Sequence, residues 1–264
     1  MEREFIDHLN RRMTLKFPPQ RIISLCPGIT ETLFAFQLGD RIVGRTRYCI
    51  FPENEVKQVP IVGGTKEMDI EKIHALQPDL IIVEKEENTA DMVAALEPHY
   101  PVYVAEVQSI PDAYRMIQSM GELTERETEA GLLIREIQTS FQSMPTVSGQ
   151  RVAYVIWKKP YMTVGKDTYI ESVLSHLGFS VPFTVKEGRY PAVTEEDFRE
   201  ADLDFIFLAS EPYPFRDKHL AEFQQICPGS KVICVDGEMF WYGARMKIAA
   251  DYFKNLLAIE LNSN

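Results

Sequence analysis

Thr124-Glu-Arg-Glu-Thr-Glu-Ala-Gly-Leu-Leu-Ile-Arg-Glu-Ile-Gln-Thr-Ser-Phe-Gln-Ser-Met144 is the stretch on which the reading of this 264-residue chain turns. Thr124 followed by Glu127 has the spacing of a capping box. Leu133, Ile134, Ile137 and Phe141 then recur at helical spacing, and no Gly or Pro interrupts the run between Gly131 and Pro145. A helix of about 18 residues spans roughly 27 Å at 1.5 Å per residue. Ser109 and Asp112 open an earlier helix that runs to about Leu123, and Pro145–Gly149 stops the long one. The segment therefore reads as a stiff strut between the two halves of the chain.

Those two halves say the same thing twice. Four short apolar runs precede the strut: Arg21-Ile-Ile-Ser-Leu, Arg41-Ile-Val-Gly, Asp79-Leu-Ile-Ile-Val and Val102-Tyr-Val-Ala. Three come after it: Arg151-Val-Ala-Tyr-Val-Ile, Asp204-Phe-Ile-Phe-Leu and Lys231-Val-Ile-Cys-Val. Such runs suit strands buried on both faces, and the amphipathic stretches between them give the alternation of a parallel α/β fold. Arg21 maps onto Arg151 at an offset of 130 residues, Glu71 and Asp79 onto Glu196 and Asp204 at 125, and Val102 onto Val232 at 130. We expect two similar α/β lobes with mainly parallel sheets, 1–123 and 148–264, joined by a backbone helix at 124–147, with a ligand cleft between the lobes.

Bulk composition narrows the function. Asp and Glu number 39 against 28 Lys and Arg, a formal charge of −11. That balance speaks against a nucleic-acid partner, which needs a concentrated basic face. No apolar run is long enough to cross a bilayer. The opening Met-Glu-Arg-Glu-Phe-Ile-Asp-His8 lacks the pattern of a secretory signal, so either the chain is cytoplasmic, as it stands, or a signal was removed or mis-annotated, and the sequence leaves the location open. Cys26, Cys49, Cys227 and Cys234 show no CxxC spacing and read as reduced thiols.

In parallel α/β sheets ligands bind beyond the carboxyl ends of the strands. In the first half those ends carry Cys26-Pro-Gly, Arg45-Thr-Arg-Tyr48-Cys49, Gly63-Gly64-Thr65 and Glu84-Lys-Glu-Glu-Asn88; in the second, Trp157-Lys-Lys-Pro-Tyr-Met162, Arg189-Tyr190-Pro, Ser210-Glu211-Pro-Tyr213-Pro-Phe215 and Glu238-Met-Phe-Trp241-Tyr242. The second set is rich in rings, namely Trp157, Tyr161, Tyr190, Tyr213, Phe215, Phe240, Trp241 and Tyr242. Flat rings at loop tips cover large planar ligands at low entropic cost; the alternative is that they plug strand ends as core. His8, His74, His99, His176 and His219 are scattered and form no spaced pair. Of potential metal ligands only Cys26, Cys49 and Glu84 or Glu238 could converge, so direct ligation of a metal by the protein is not expected. No phosphate loop, dinucleotide fingerprint or GxSxG is present, and no catalytic residue or intrinsic cofactor is expected.

Pro19-Gln-Arg-Ile-Ile-Ser-Leu-Cys-Pro-Gly-Ile-Thr-Glu-Thr-Leu-Phe34 resembles the opening of the helical-backbone metal-receptor superfamily, the class III ABC-transporter substrate-binding proteins for vitamin B12, ferric siderophores and haem. The resemblance continues through Ile42–Pro52, Gly64–Ile73, Gln77–Ile82, Pro160–Ile170, Arg189–Phe198 and Trp241–Ala250, about residues 14 to 258 in all, and is nearest in character to the vitamin B12-binding members. It implies a ligand such as a corrinoid (cobalamin), ferric siderophore or haem, a monomer, and delivery to the permease dimer of an ABC importer from the periplasm or cell envelope. Tyr48 stands where B12-binding members have a cleft tyrosine. Tyr190 replaces a tryptophan, Met162 a phenylalanine, Gly64 and Glu84 two further tryptophans, and Glu238 and Tyr242 an aspartate and an arginine. With Cys26, Trp157, Glu211 and Trp241 these form the candidate ligand-binding set. Arg45, Arg47, Lys158 and Lys159 would suit an anionic chelate, or lie on a solvated surface. Glu71 and Glu196 stand where the family places one transporter-docking carboxylate per lobe. The alternative function is a cytoplasmic ligand sensor or store, or a chelatase-like enzyme handling tetrapyrroles.

Overall fold

The computed structural model describes residues 1–260. The chain divides into two compact units. The first comprises Met1–Val107, Pro111–Ile137 and Tyr242–Arg245; the second comprises Gln108–Ile110, Gln138–Trp241 and residues 246–260.

The first unit opens with an antiparallel hairpin, β1 (Glu2–Ile6) and β2 (Arg12–Lys16). It continues through β3 (Ile22–Ser24), α1 (Pro27–Ala35), β4 (Ile42–Arg45), α2 (Glu53–Val56), α3 (Ile70–Leu76), β5 (Leu80–Glu84), α4 (Ala90–Leu96) and β6 (Val102–Ala105). The sheet order is β4-β3-β5-β6, all parallel. Ile23, Ile81, Val83 and Val104 pack with Val62, Ile73 and Met92 in one core. The hairpin was not expected. Its turn covers the free edge of β6, where unpaired backbone would otherwise invite another strand: His8 N donates to Val104 O (3.2 Å), and Arg11 Nη2 donates to Val102 O (3.1 Å).

Two helices come next, α5 (Ile110–Thr124) and α6 (Glu127–Gln142). The expected capping box at Thr124 is a misreading. Thr124 is the last residue of α5 and its hydroxyl donates back to Met120 O (2.6 Å). Glu125 is left-handed (φ 61°) and Arg126 N reaches Gly121 O (2.8 Å), so α5 ends in a Schellman turn. The 16 residues of α6 begin only beyond that turn.

The second unit contains β7 (Val152–Trp157), β8 (Tyr161–Thr163), α7 (Tyr169–His176), β9 (Ala192–Val193), α8 (Glu195–Glu200), β10 (Phe205–Ala209), α9 (Leu220–Ile226), β11 (Lys231–Val235) and α10, which starts at Arg245 and runs to Asn255. Its sheet order is β11-β10-β7-β8-β9; the first three strands are parallel and the last two join antiparallel. The internal repeat is real at atomic level. Arg21 N donates to Asp79 Oδ1 (2.8 Å) and its Nε to Leu76 O (3.0 Å). Arg151 N donates to Asp204 Oδ2 (2.7 Å) and its Nε to Ala201 O (2.8 Å). One strand-entry clamp therefore serves both units. The second strand is where they diverge, since β4 runs parallel to β3 but β8 doubles back on β7.

Candidate functional site

In the first unit α1 starts directly from the end of β3, with Cys26 at its N-cap and Pro27 in its first turn. Pro at that position loses no helical hydrogen bond. Gly28 lets Tyr242 lie on this turn: a Cβ there would stand 2.6 Å from Tyr242 O and 3.2 Å from its ring. Cys26 Sγ is 3.1 Å from the Tyr242 hydroxyl, and burial pushes both the thiol and the phenol well up, so both are neutral near pH 7. Thr30 Oγ1 lies within reach of Ser24 Oγ (2.8 Å), Cys26 O (2.9 Å) and Cys49 Sγ (3.1 Å), locking the helix start to the next loop.

That next loop is built on Arg45, only 7% exposed. Its guanidinium donates to Val56 O (2.8 Å), Val59 O (3.2 Å), Thr46 O (3.2 Å) and Cys49 O (3.2 Å). It is a loop organiser and not the anion-binding cation the sequence suggested. Arg47 is turned to Glu67 (2.5 Å), over Gly64. Tyr48 emerges from this braced loop 52% exposed, with Arg47 5.9 Å from its ring. Nearby, Arg245 holds Glu31 through two nitrogens (2.9 and 3.0 Å) and lies 3.5 Å from the Phe51 ring.

Glu84 ends β5 and is 1% exposed. Its carboxyl accepts from the amides of Glu86 (2.7 Å), Glu87 (3.0 Å) and Val107 (3.1 Å). Burial outweighs those donors and pushes its pKa up to about 7. Asn88, which sequence reasoning passed over, ties three chain ends together: its Oδ1 accepts from Glu84 N (2.9 Å) and its Nδ2 donates to Leu25 O (3.0 Å) and Thr65 O (2.9 Å). An amide in the strand-end segment was the only signal for it. The Cys26–Tyr242 contact and the Glu84–Asn88 pair are thus linked beyond the first sheet through Leu25 and Thr65, the chain neighbours of Cys26 and Gly64, with Tyr48 exposed on the adjoining loop.

In the second unit Trp157 ends β7 40% exposed, its ring edge-on to Tyr213 at 5.6 Å. Met162 pairs with Trp157 on one side and Ala192 on the other, placing Tyr190 two residues before that ladder. Glu211 takes a hydrogen bond from Trp241 Nε1, and burial pushes its carboxyl up to about 7, with Glu238 and Asp236 adding to the rise. The rings expected at the ligand divide between two roles. Phe215 and Phe240 are core, and Tyr161 packs edge-on to Phe198 (5.8 Å) and Phe223 (5.3 Å) while donating to Glu222 (2.5 Å). Lys158 also goes to Glu222, which removes it as a ligand cation.

Glu71 and Glu196 are exposed and occupy the second helical position of α3 and α8, behind the N-caps Asp69 and Thr194. The histidines are less scattered than their spacing suggested, since the His74 and His99 rings meet edge-on at 5.1 Å and His74 Nδ1 is 2.7 Å from the Tyr100 hydroxyl. Among the described residues no three His, Cys, Asp or Glu side chains are placed to hold a metal ion, all four cysteines are free, and no helix is long and apolar enough to cross a membrane.

Residues 22–225 match the periplasmic binding protein family. Over 181 residues the chain is 30% identical to an uncharacterized ABC transporter substrate-binding lipoprotein of Bacillus subtilis, an alignment covering 64% of this chain but 57% of that protein. It is 26% identical over 216 residues to a vitamin B12-binding protein of Vibrio campbellii, covering 80% and 78% of the two chains. In three dimensions it is similar to the periplasmic vitamin B12 binding protein of Vibrio cholerae, with a TM-score of 0.76, 22% identity and coverage of 94% and 100%. The periplasmic haem binding protein of the same organism gives a TM-score of 0.77 at 18% identity, covering 90% and 98%. At those identities the structural likenesses show the fold alone.

Proposed function

The chain belongs to the periplasmic binding protein family, and from that premise we propose that it is the substrate-binding component of an ABC importer, capturing a metal chelate. A corrinoid of the vitamin B12 type is the first candidate; haem or a ferric siderophore comes next. The family and its relatives are transport binding proteins and not enzymes. One observation carries the ligand class: Tyr48 and Trp157 stay 52% and 40% exposed at the carboxyl ends of the strands, while the chain buries Phe36, Phe198, Phe207, Phe223 and Tyr154 completely. Each exposed ring is braced by a neighbour, Tyr48 by Arg47 and Trp157 by Tyr213. Pre-positioned rings lose little entropy on covering a broad planar ligand. Cys26, Gly64, Glu84 and Tyr242 make the wall beside Tyr48, and Met162, Tyr190, Glu211, Glu238 and Trp241 complete the wall beside Trp157.

Delivery would use Glu71 and Glu196, matched acids at one helical position in each unit, which suit a single copy meeting a two-fold permease dimer. As its relatives are named periplasmic or lipoprotein, we place its work in the cell envelope. Titration of the purified chain with cyanocobalamin, cobinamide, haemin and ferric siderophores, followed by tryptophan fluorescence, tests this reading. One-to-one quenching by at least one of them is expected. No quenching and no heat of binding with any of the four overturns the chelate assignment.

A further inference from the structure

The loop after β10 and the loop after β11 are zipped together at the end of the second sheet. Gly237 N donates to Ser210 Oγ (2.9 Å), and a Cβ at Gly237 would stand 2.6 Å from Glu211 Cγ, so the Glu211 side chain packs directly on the Gly237 backbone. Asp236 accepts from Glu238 N (3.0 Å), and its own N–H goes to the Tyr252 hydroxyl (2.9 Å). Phe240 is plugged into the core against Tyr154 (4.6 Å) and Phe253 (5.0 Å). This pins the backbone of Trp241, whose N–H goes to Glu238 O (3.1 Å). With the main chain fixed, the half-buried indole is tied to the neighbouring loop through its own N–H, which donates to the Glu211 carboxyl. From this geometry we infer that Glu211 is a positioning residue, an anchor that aims the Trp241 ring for the ligand. The ligand part of the inference rests on the function proposed above.

The link works through the acceptor. An indole N–H bonded to a carboxylate makes a charge-assisted hydrogen bond, roughly twice as strong as the bond to a neutral carboxylic acid. Glu211 faces Asp236 and Glu238 on the neighbouring loop, and the phenols of Tyr154, Tyr190 and Tyr252 lie around the same acids. Burial among these groups raises the carboxyl, so it changes charge close to neutral pH. Ionised, it holds the indole more tightly; protonated, it holds it about half as strongly.

The chain's two tryptophans give two indole N–H signals in a 15N-labelled sample, assigned with Trp157→Phe. In the ligand-free wild type the Trp241 signal is expected to move with a single inflection near neutral pH, and in Glu211→Gln to stay fixed while the rest of the spectrum is unchanged. A signal that does not move between pH 5.5 and 8.5, or moves equally in Glu211→Gln, overturns the anchor. Cyanocobalamin, which has no group titrating in that range, is expected to bind about fivefold more tightly at pH 8.5 than at 5.5. That ratio is expected to shrink in both Glu211→Gln and Trp241→Phe, any remainder belonging to Glu84, which titrates in the same range. An unchanged ratio in either variant overturns the link to the ligand. Absence of cyanocobalamin binding at both pH values counts against a B12-type ligand, while the indole titration still decides the anchor.

Discussion

Replacing Glu84 by Gln should change the pH dependence of folding stability in a direction that separates burial from hydrogen bonding. Two effects oppose each other at this carboxyl. Three amide donors favour the anion, and removal from water favours the acid. The structure gives the second effect the larger weight, raising the pKa from 4.5 to about 7. The folded protein then holds a proton that the unfolded chain has lost, so stability is full below pH 4.5 and falls as pH rises to 7. At 1.36 kcal/mol per unit the whole span is worth about 3 kcal/mol, of which about 2.5 kcal/mol is lost between pH 5 and 8. Because the side chain is 1% exposed, solvent screening leaves that figure standing. Glutamine never ionises, though its NH2 faces a backbone donor at a cost of about 1 kcal/mol at every pH. Urea unfolding of both chains at pH 5, 6, 7 and 8 provides the assay; Glu211 titrates alike in both and cancels in the difference. The variant should start below wild type at pH 5 and gain on it by about 2.5 kcal/mol at pH 8. A constant gap, or a variant falling further behind as pH rises, would refute the reasoning and show that the amides keep Glu84 ionised.

Other substitutions test the rest of the site. Arg45→Met leaves the carbonyls of Val59 and Cys49 without the arginine donor, while those of Val56 and Thr46 keep the amides of Val59 and Cys49, and should cost about 2–4 kcal/mol, read by urea unfolding. Gly28→Ala drives a methyl to 2.6 Å from Tyr242 O, so thermal unfolding should show a loss of about 1–3 kcal/mol, with ligand affinity falling too as Tyr242 leaves the turn. Glu71→Ala with Glu196→Ala should change stability by less than about 1 kcal/mol and leave ligand binding intact, while abolishing stimulation of the partner transporter's ATPase; lost binding would refute the docking role.

Much of the fold was legible because parallel strands buried on both faces read as unbroken apolar runs. All seven such runs became strands within a residue or two, and the Arg–Asp clamps explain why Arg21 and Asp79 recur as Arg151 and Asp204. The hairpin was missed although Arg12-Met-Thr-Leu-Lys16 alternates with period two. Glu2–Ile6, its partner, is almost wholly exposed and carries no such pattern, so only pairing reveals it as a strand. Thr124 failed for the opposite reason. Its local motif was good, but a capping box needs an extended N-cap, and residue 124 was still helical with the break at Glu125.

The candidate site was less legible, because a residue type says which bonds a side chain makes and not where they go. Arg45 and Lys158 had the charge for an anionic ligand, yet their partners lie in the protein: carbonyls of a loop with no ladder to join, and Glu222. Any loop that long must find donors for its buried carbonyls, and an arginine at its start supplies several at once. The same need explains Asn88, whose amide satisfies Glu84, Leu25 and Thr65 together. Tyr242 was read with the second half, where its sequence neighbours are, but it packs on Gly28 and Cys26 because only a glycine at the start of α1 leaves room for its backbone and ring. Polar residues beyond strand ends are therefore better tested first against the unsatisfied backbone around them. Those left over once that need is met, here Tyr48 and Trp157 with their exposed rings, are the ones on which the proposed ligand contact rests.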